Sequence, residues 1–384
     1  MSYSSRDRLS PYFYREGENH ILSPNERLLL KQIWQQNGLS RSELSSLVDL
    51  TQQSVHRIID QLTDRGILRF GAPKPGAGRG QPSPTLYLNE QYACCCGISL
   101  NTDIVGICLM DMAGNLRGES HFKLHDQSRD TVLTQIEQQL IHHCQQQGYE
   151  PYQLLGIGFA IAGYNIEGTK FNAPLPLHEW SLIELGPLLA ERFQHPVWVE
   201  NGSNTAAIAE NMLGIGRYIR HFAYLSFNYG LGGGLISAGE LLAGGYGNAG
   251  EFSGIYNADE MERRPTLKSL LDRLQQHAVD VPDIDYLHKH FDPQWPGVNS
   301  WLDEVKPAYN QLINAITAIF NPQAIVFGGQ IPAALADMLI ARTAFYGRPR
   351  YGVSAPRAKL LYSGVNGDAS AIGAAMLPLK TEFY

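Results

Sequence analysis

Apolar positions recur with helical spacing in three short runs near the start of the chain, each behind a capping signature. Leu29, Leu30, Ile33 and Trp34 follow Ser23-Pro24-Asn25-Glu26. Ser23 can cap, Pro24 suits the first helical position, and Glu26 completes a capping box. The pattern predicts a helix that stops at Asn37-Gly38. Ser40-Arg41-Ser42-Glu43 is a second capping box, opening a short helix expected to bury Leu44 and Leu47. After a turn through Asp49 and Leu50, Thr51 caps a third helix with Val55, Ile58, Ile59 and Leu62 inward, and Gly66 ends it. Ile67-Leu68-Arg69-Phe70 and Thr85-Leu86-Tyr87-Leu88 then read as paired strands. Three short helices and a hairpin predict a winged helix-turn-helix over residues 1–90.

From residue 91 short apolar runs alternate with longer helical stretches. Cys94 to Ile98 and Val105 to Asp111 read as strands, with a hairpin turn at Met112 to Asn115. Thr131 to Gln147 is a predicted helix, Leu154 to Ile161 and Val197 to Glu200 predicted strands, and Gly202 to Leu213 a second helix. Leu225 to Phe227 and Gly233 to Ser237 flank a glycine turn, and Ala324 to Phe327 is a strand ending in Gly328-Gly329. Interleaving of this kind indicates an α/β protein with sheets at its centre.

Composition changes this picture in three places. The chain has 384 residues, enough for two or three cores. Its net charge of −7 argues against a nucleic-acid binder, but residues 1–89 carry 11 Lys+Arg against 8 Asp+Glu, whereas the remainder carries 19 against 29. The positive balance therefore sits on the predicted winged helix. No apolar run reaches 18 residues and Met1 to Pro11 is polar, so we expect no membrane span, no signal peptide and a cytoplasmic protein. Cys94, Cys95 and Cys96 are consecutive on a predicted strand, where neighbours face opposite ways, so they and Cys108 and Cys144 are expected to be free thiols. No pair has the spacing of a metal site.

The third helix presents Gln52, Gln53, Ser54, His56 and Arg57 behind its cap Thr51. Gln suits adenine and Arg suits guanine in the major groove, although any amphipathic helix also has a solvated polar face. The loop from Gly71 to Pro82 carries Lys74 and Arg79 and no acid. Arg79 between glycines, followed by Gln81-Pro82, suits the negative potential of a narrow minor groove. These eight residues are the candidate DNA contacts.

The order of the later segments resembles the ROK (repressor, open reading frame, kinase) family. The segments are Gly97-Ile98-Ser99-Leu100, Gly156 to Ala160, Val199 to Ala207, Tyr229 to Gly234, Gly247 to Phe252, and Asn321-Pro322 with Ile325 to Gly329. The resemblance implies a two-lobed actin-like ATPase fold of the ribonuclease H-like type. It sets a smaller lobe at 91–198 plus 366–384 and a larger one, with effector cleft and dimerisation surface, at 199–365. It also shows what is missing. The family's kinases have a catalytic aspartate where this chain has Gly202, and a metal-organising aspartate where it has Ser99. Their Gly-Thr-Gly turn is Asn228-Tyr229-Gly230 here. Ser253 and Gly254 replace the Gly and His of the zinc motif, and no cysteine follows Cys144. From the sugar-contacting set Asn172, Asn201 and Glu251 remain, with Lys268 near a lost glutamate. Asn201 also reads simply as a helix cap.

The reading that follows has no catalytic residue, no metal and no cofactor. It is a transcription regulator of carbohydrate genes, a repressor in its first form, that binds double-stranded operator DNA. It would sense a sugar or sugar derivative at Asn172, Asn201 and Glu251, and act as a homodimer or dimer of dimers. Lys268 tilts the expectation towards an anionic sugar. The alternatives are a vestigial pocket under a protein partner's control, or an active sugar kinase.

Overall fold

The capping signatures mark the first elements accurately. The computed structural model describes residues 22–72, 84–124 and 127–384. It opens with α1 (Pro24–Gln35), β1 (Leu39–Ser40), α2 (Arg41–Leu47) and α3 (Gln52–Asp64), followed by β2 (Leu68–Gly71) and β3 (Thr85–Leu88). Ser23 and Ser40 each close a reciprocal capping box, and the Thr51 side chain accepts from the Ser54 amide. Leu29, Leu30, Ile33, Leu44, Val55, Ile58, Ile59 and Leu62 form the core. Leu47, the last residue of α2, lies past that stripe and is 48% exposed, contrary to expectation. The wing hairpin also gains a strand, because β1 pairs with β3 through Leu39↔Leu86 and Ser40↔Thr85.

The next elements are β4 (Cys94–Leu100), β5 (Ile104–Asp111), β6 (Leu116–Lys123), α4 (Arg129–Gln147), β7 (Leu154–Ile161), β8 (Tyr164–Glu167), β9 (Lys170–Asn172), α5 (Leu185–Phe193) and β10 (Val197–Asn201). Then come α6 (Gly202–Leu213), β11 (Phe222–Phe227), β12 (Leu231–Ser237), β13 (Glu240–Leu241), α7 (Ala258–Met261), α8 (Leu267–Gln276), α9 (Ile284–His290), α10 (Val298–Ile319), β14 (Ala324–Gly329), α11 (Ala333–Ala341), β15 (Lys359–Tyr362) and α12 (Ala369–Glu382). One sheet runs β10-β7-β4-β5-β6, the other β13-β12-β11-β14-β15. In the second sheet β11 pairs antiparallel with β12 and parallel with β14, which pairs parallel with β15. The α8 and α10 side chains Leu270, Leu274, Trp301, Leu302 and Tyr309 pack with Phe227 and Phe327 in its core.

The chain divides into two compact units. The first takes the described residues up to Ala160 with Ile183–Glu200 and Ala374–Tyr384, and the second takes Ile161–Leu182 and Asn201–Gly373. This departs from the boundaries drawn on the sequence in several respects, among them that residues 366–373 join the second unit. Residues 161–182 group with the second unit, because the Asn248 side chain pairs with both the N–H and the C=O of Asn165 at 2.8 Å each. The winged helix, drawn as its own domain over 1–90, groups with the first.

Its seat explains why. The carboxylate of Asp111 is fully buried and accepts from the amides of Ala113 and Asn115, both at 2.9 Å, and from Arg117 Nε at 2.6 Å. These three residues fix the β5–β6 turn, and that turn offers two carbonyls. Trp34 Nε1 donates to Ala113 O at 3.0 Å, and Tyr384 OH donates to Met112 O. The Trp34 and Tyr384 rings stack with centroids 5.0 Å apart, and Arg27 Nη1 donates to Thr381 O at 2.5 Å. Tyr149 OH donates to Glu90 O at 2.8 Å. Aromatic stacking of this kind adds about 0.5–1.5 kcal/mol to the area it buries.

Trp34→Ala removes the stack and one hydrogen bond. We expect it to cost about 2–3 kcal/mol, just below the range for a fully buried tryptophan. Limited proteolysis should then release the winged helix faster than it releases fragments of either sheet. Equal protection in wild type and variant would show that the seat contributes nothing.

Candidate functional site

The third helix is amphipathic, and burial of Val55, Ile58, Ile59 and Leu62 on one side forces Gln52, Gln53, His56 and Arg57 to the other, where all four are exposed. Arg57 Nη1 donates to Gln61 Oε1 at 3.2 Å, one helical turn away. Thr51 and Ser54 are committed locally: Thr51 Oγ1 accepts from Ser54 N at 3.2 Å and donates to Ser54 Oγ at 2.9 Å. They hold the start of α3 in place, and the other four present the donors and acceptors. Lys74 and Arg79 lie outside the described residues. Sequence reasoning missed Arg41 on α2, which pairs with Asp60 of α3 at 2.6 Å and lies 5.5 Å from the centre of the exposed Phe70 ring. The Arg41 hydrogen bond holds the Asp60 carboxyl below its ordinary range.

Asn201 and Glu251 touch beside Gly163, and the backbone of Asn172 passes the same glycine while its side chain turns to Tyr164. Asn201 ends β10 in extended conformation and caps α6, its Oδ1 accepting from Ser203 N at 2.7 Å and Asn204 N at 3.1 Å. Its Nδ2 donates to Gly163 O at 2.6 Å and to Glu251 Oε1 at 3.4 Å. Asn201 is thus a helix cap whose amide also touches Glu251. All four hydrogen-bonding positions of the amide are in use. Gly163 sits at φ +125°, and a Cβ there would meet Asn172 O at 2.5 Å, so glycine lets the two segments touch. Asn172 Nδ2 donates to Tyr164 OH at 2.7 Å across the β8–β9 pair. Glu251 is mostly buried, and desolvation raises its pKa above the ordinary value.

The replaced kinase positions have distinct physical characters. A Cβ on Gly202 would make only ordinary contacts, with Ser370 Oγ at 3.7 Å and Ile161 O at 3.8 Å nearest, so close packing at the Cβ position does not require glycine there. Ser99 is buried in β4 opposite Gly106. The glycines after Tyr229 read as room for a phosphate, but the fold uses three of them otherwise. A Cβ on Gly232 would strike Ser203 Oγ at 2.2 Å, on Gly233 the Phe252 ring at 2.1 Å, and on Gly234 the Ala207 Cβ at 2.6 Å. They allow α6 and Phe252 to lie on β12, and only Gly230 has open space. Tyr229 packs against the core of the second sheet. Lys268 also needs correcting: it is exposed on α8 and pairs with Asp272 at 2.8 Å, which removes the argument for an anionic ligand.

The family resemblance implies a structural zinc after Glu251, and the residues present do not fit one. Among the described residues no three His, Cys, Asp or Glu side chains converge. Ser253 Oγ donates to Leu231 O at 3.0 Å, and the segment is anchored by two buried rings, Phe252 and Tyr256. Tyr256 OH donates to Ala308 O of α10 at 2.9 Å.

Comparison with known proteins gives a consistent result. The ROK family model matches residues 95–381 and the MarR family model residues 22–73. The xylose repressor of Bacillus spizizenii is 25% identical over 328 residues, covering 82% of this chain and 84% of its own. A crystal structure described as a ROK family transcriptional regulator, homolog of the E. coli MLC protein, superposes with TM-score 0.67 at 20% identity over 94% of this chain and 96% of its own. A ROK family glucokinase from Streptomyces griseus, solved with glucose and AMPPNP, gives 0.59 at 19% identity over 74% and 99%. The N-terminal part is thus a MarR-type winged helix-turn-helix and the remainder has the actin-like ATPase fold.

Two outcomes follow from the site. Tyr256→Ala should cost about 3–5 kcal/mol, the range for emptying an aromatic site, while a chelator should leave the Tm of the wild type unchanged. A chelator-induced drop would mean a metal anchors the segment. Burial raises the folded-state pKa of Glu251, so its stabilising contribution is complete below the unfolded glutamate value of about 4.3 and is lost as pH rises through the folded pKa. Glu251→Gln should therefore have a higher Tm than wild type at pH 7, with the difference closing as pH falls towards 4. A constant difference at all pH values would separate it from this titration.

Proposed function

The chain belongs to the ROK family, and on that premise we propose that it is a sugar-responsive DNA-binding repressor without kinase activity. The observation that carries the proposal is the exposed row Gln52, Gln53, His56 and Arg57 on a firmly capped α3, followed by a hairpin that completes a winged helix. In the major groove Gln and Arg read adenine and guanine by paired hydrogen bonds, each worth about 1–3 kcal/mol of discrimination. Lys74 and Arg79 of the wing add contacts to phosphates or to the minor groove.

The effector reading rests on Asn172, Asn201 and Glu251. The Asn201–Glu251 bond is the longest in its network at 3.4 Å, and a ligand hydroxyl there would replace it with two shorter ones. A neutral sugar fits better than an anionic one beside a carboxylate, now that Lys268 is accounted for by Asp272. Gly202 leaves no group there to take a proton from a sugar hydroxyl, and this supports inactivity as a kinase. Two copies on two half-sites about 34–36 Å apart would give a palindromic operator. The sugar changes DNA affinity only as far as it binds the DNA-competent and incompetent states unequally.

The experiment is a titration of fluorescent fragments from upstream of the gene at two salt concentrations, with Arg57→Ala and Arg79→Ala alongside. We expect tight, salt-dependent binding that both substitutions weaken, by roughly 10-fold or more for Arg57→Ala. A neutral pentose or hexose should weaken it further in wild type but not in Glu251→Gln. Binding no better than to random DNA would overturn the regulator reading. Phosphate transfer from ATP to any hexose above background would overturn the inactive-kinase part.

A further inference from the structure

Between Met338 and Gly367 the chain carries Arg342, Arg348, Arg350, Arg357 and Lys359 and no acid, although residues 90–384 as a whole are acidic. Within this stretch every residue from Tyr346 to Arg357 is exposed. The segment is nevertheless built. Arg350 N donates to Val353 O at 3.0 Å and Val353 N to Arg350 O at 2.9 Å, closing a two-residue hairpin. Its two tip residues both have positive φ, Tyr351 at 52° and Gly352 at 74°, as a type I′ turn requires. Asn or Asp is the favoured first residue there. A tyrosine accepts a disfavoured backbone region and stands 103% exposed, with nothing in the fold gained from its ring.

The base of the arm is clamped from α10. Ala344 N donates to Asn310 Oδ1 at 2.6 Å, Tyr346 N to Asn314 Oδ1 at 2.8 Å, and Asn314 Nδ2 to Ala344 O at 2.8 Å. Arg357 lies over the Phe345 ring at 5.1 Å. Arg65, Arg69, Arg117, Arg192 and Arg273 each have a carboxylate partner. Arg348 and Arg350 have none among the described residues.

We infer that the arm Tyr346–Arg357 is a second DNA contact, with Arg348 and Arg350 binding backbone phosphates of duplex DNA. Arginine forks match phosphate oxygens, and basic residues among glycine and proline without an acid are shared with the wing segment from Lys74 to Pro82. The inference rests on the DNA-binding reading above and assigns to this arm a share of the sequence-independent affinity.

The test uses the full chain and a 40-base-pair duplex of mixed sequence, with affinity measured across a salt series. In Arg348→Ala/Arg350→Ala the slope of log K against log salt should be shallower by about two per bound protomer, roughly one per phosphate contact, with Tm unchanged. Preference for the upstream fragment over the mixed duplex should be kept, whereas Arg57→Ala should reduce that preference. A slope equal to wild type would overturn the arm's role and leave the winged-helix reading standing. Absence of DNA binding by wild type would overturn both. An unchanged slope with a lower molecular mass by light scattering would mean that the arm binds a second copy of the chain instead.

Discussion

The amide of Asn201 organises the second unit. Its oxygen stops the extended chain of β10 and starts α6, and its nitrogen ties that corner to Gly163 and Glu251. One side chain therefore fixes the direction of a helix, the position of the β8–β9 hairpin behind Gly163, and the carboxylate at the candidate ligand position. α6 in turn lies on β12 so closely that Ser203 and Ala207 fill the space of two glycine side chains. What reads as a phosphate turn is thus, in this chain, a packing requirement of the helix that Asn201 begins. The retained glycines and the lost aspartate are separate matters: the fold needs the first, and only chemistry needed the second.

Much of this was legible in the sequence because local signals dominate where chains start and stop elements. Three caps, two capping boxes and Gly66 gave the winged helix almost to the residue, and alternating apolar runs gave the central strands of both sheets. Other features were not legible, for identifiable reasons. β1 has only two residues and exists through pairing with β3, a contact that no local pattern encodes. The arm's hairpin hides its type I′ turn behind a tyrosine where Asn-Gly would have announced it. Lys268 was placed by alignment to a position, but orientation on a helix depends on register, and its register points it to Asp272.

The candidate site was legible in its members and not in its wiring. Asn172, Asn201 and Glu251 stand out as residue types suited to hydroxyls. Their connection passes through a backbone carbonyl at Gly163 and through Asn248, whose amide clasps Asn165 in both directions. Such links join positions some 40 to 80 residues apart, and nothing in periodicity or composition reports them. Burial decides the electrostatics in the same way: the Glu251 carboxyl is pushed above the usual carboxylate range only because its neighbours remove the water.

The seat of the winged helix carries a consequence for the order in which the protein is made. Arg27 and Trp34 bind Thr381 and Tyr384, and the Arg27 bond spans 354 positions. At ordinary rates of translation those partners emerge roughly 20–70 s after α1 does. The three helices have a core of their own and can form at once. The β5–β6 turn that receives Trp34 follows early, but Thr381 and Tyr384 exist only after both sheets have been made. A nascent chain therefore carries a formed α3 with an incomplete attachment, and the full seat reports that the C-terminal helix has been made.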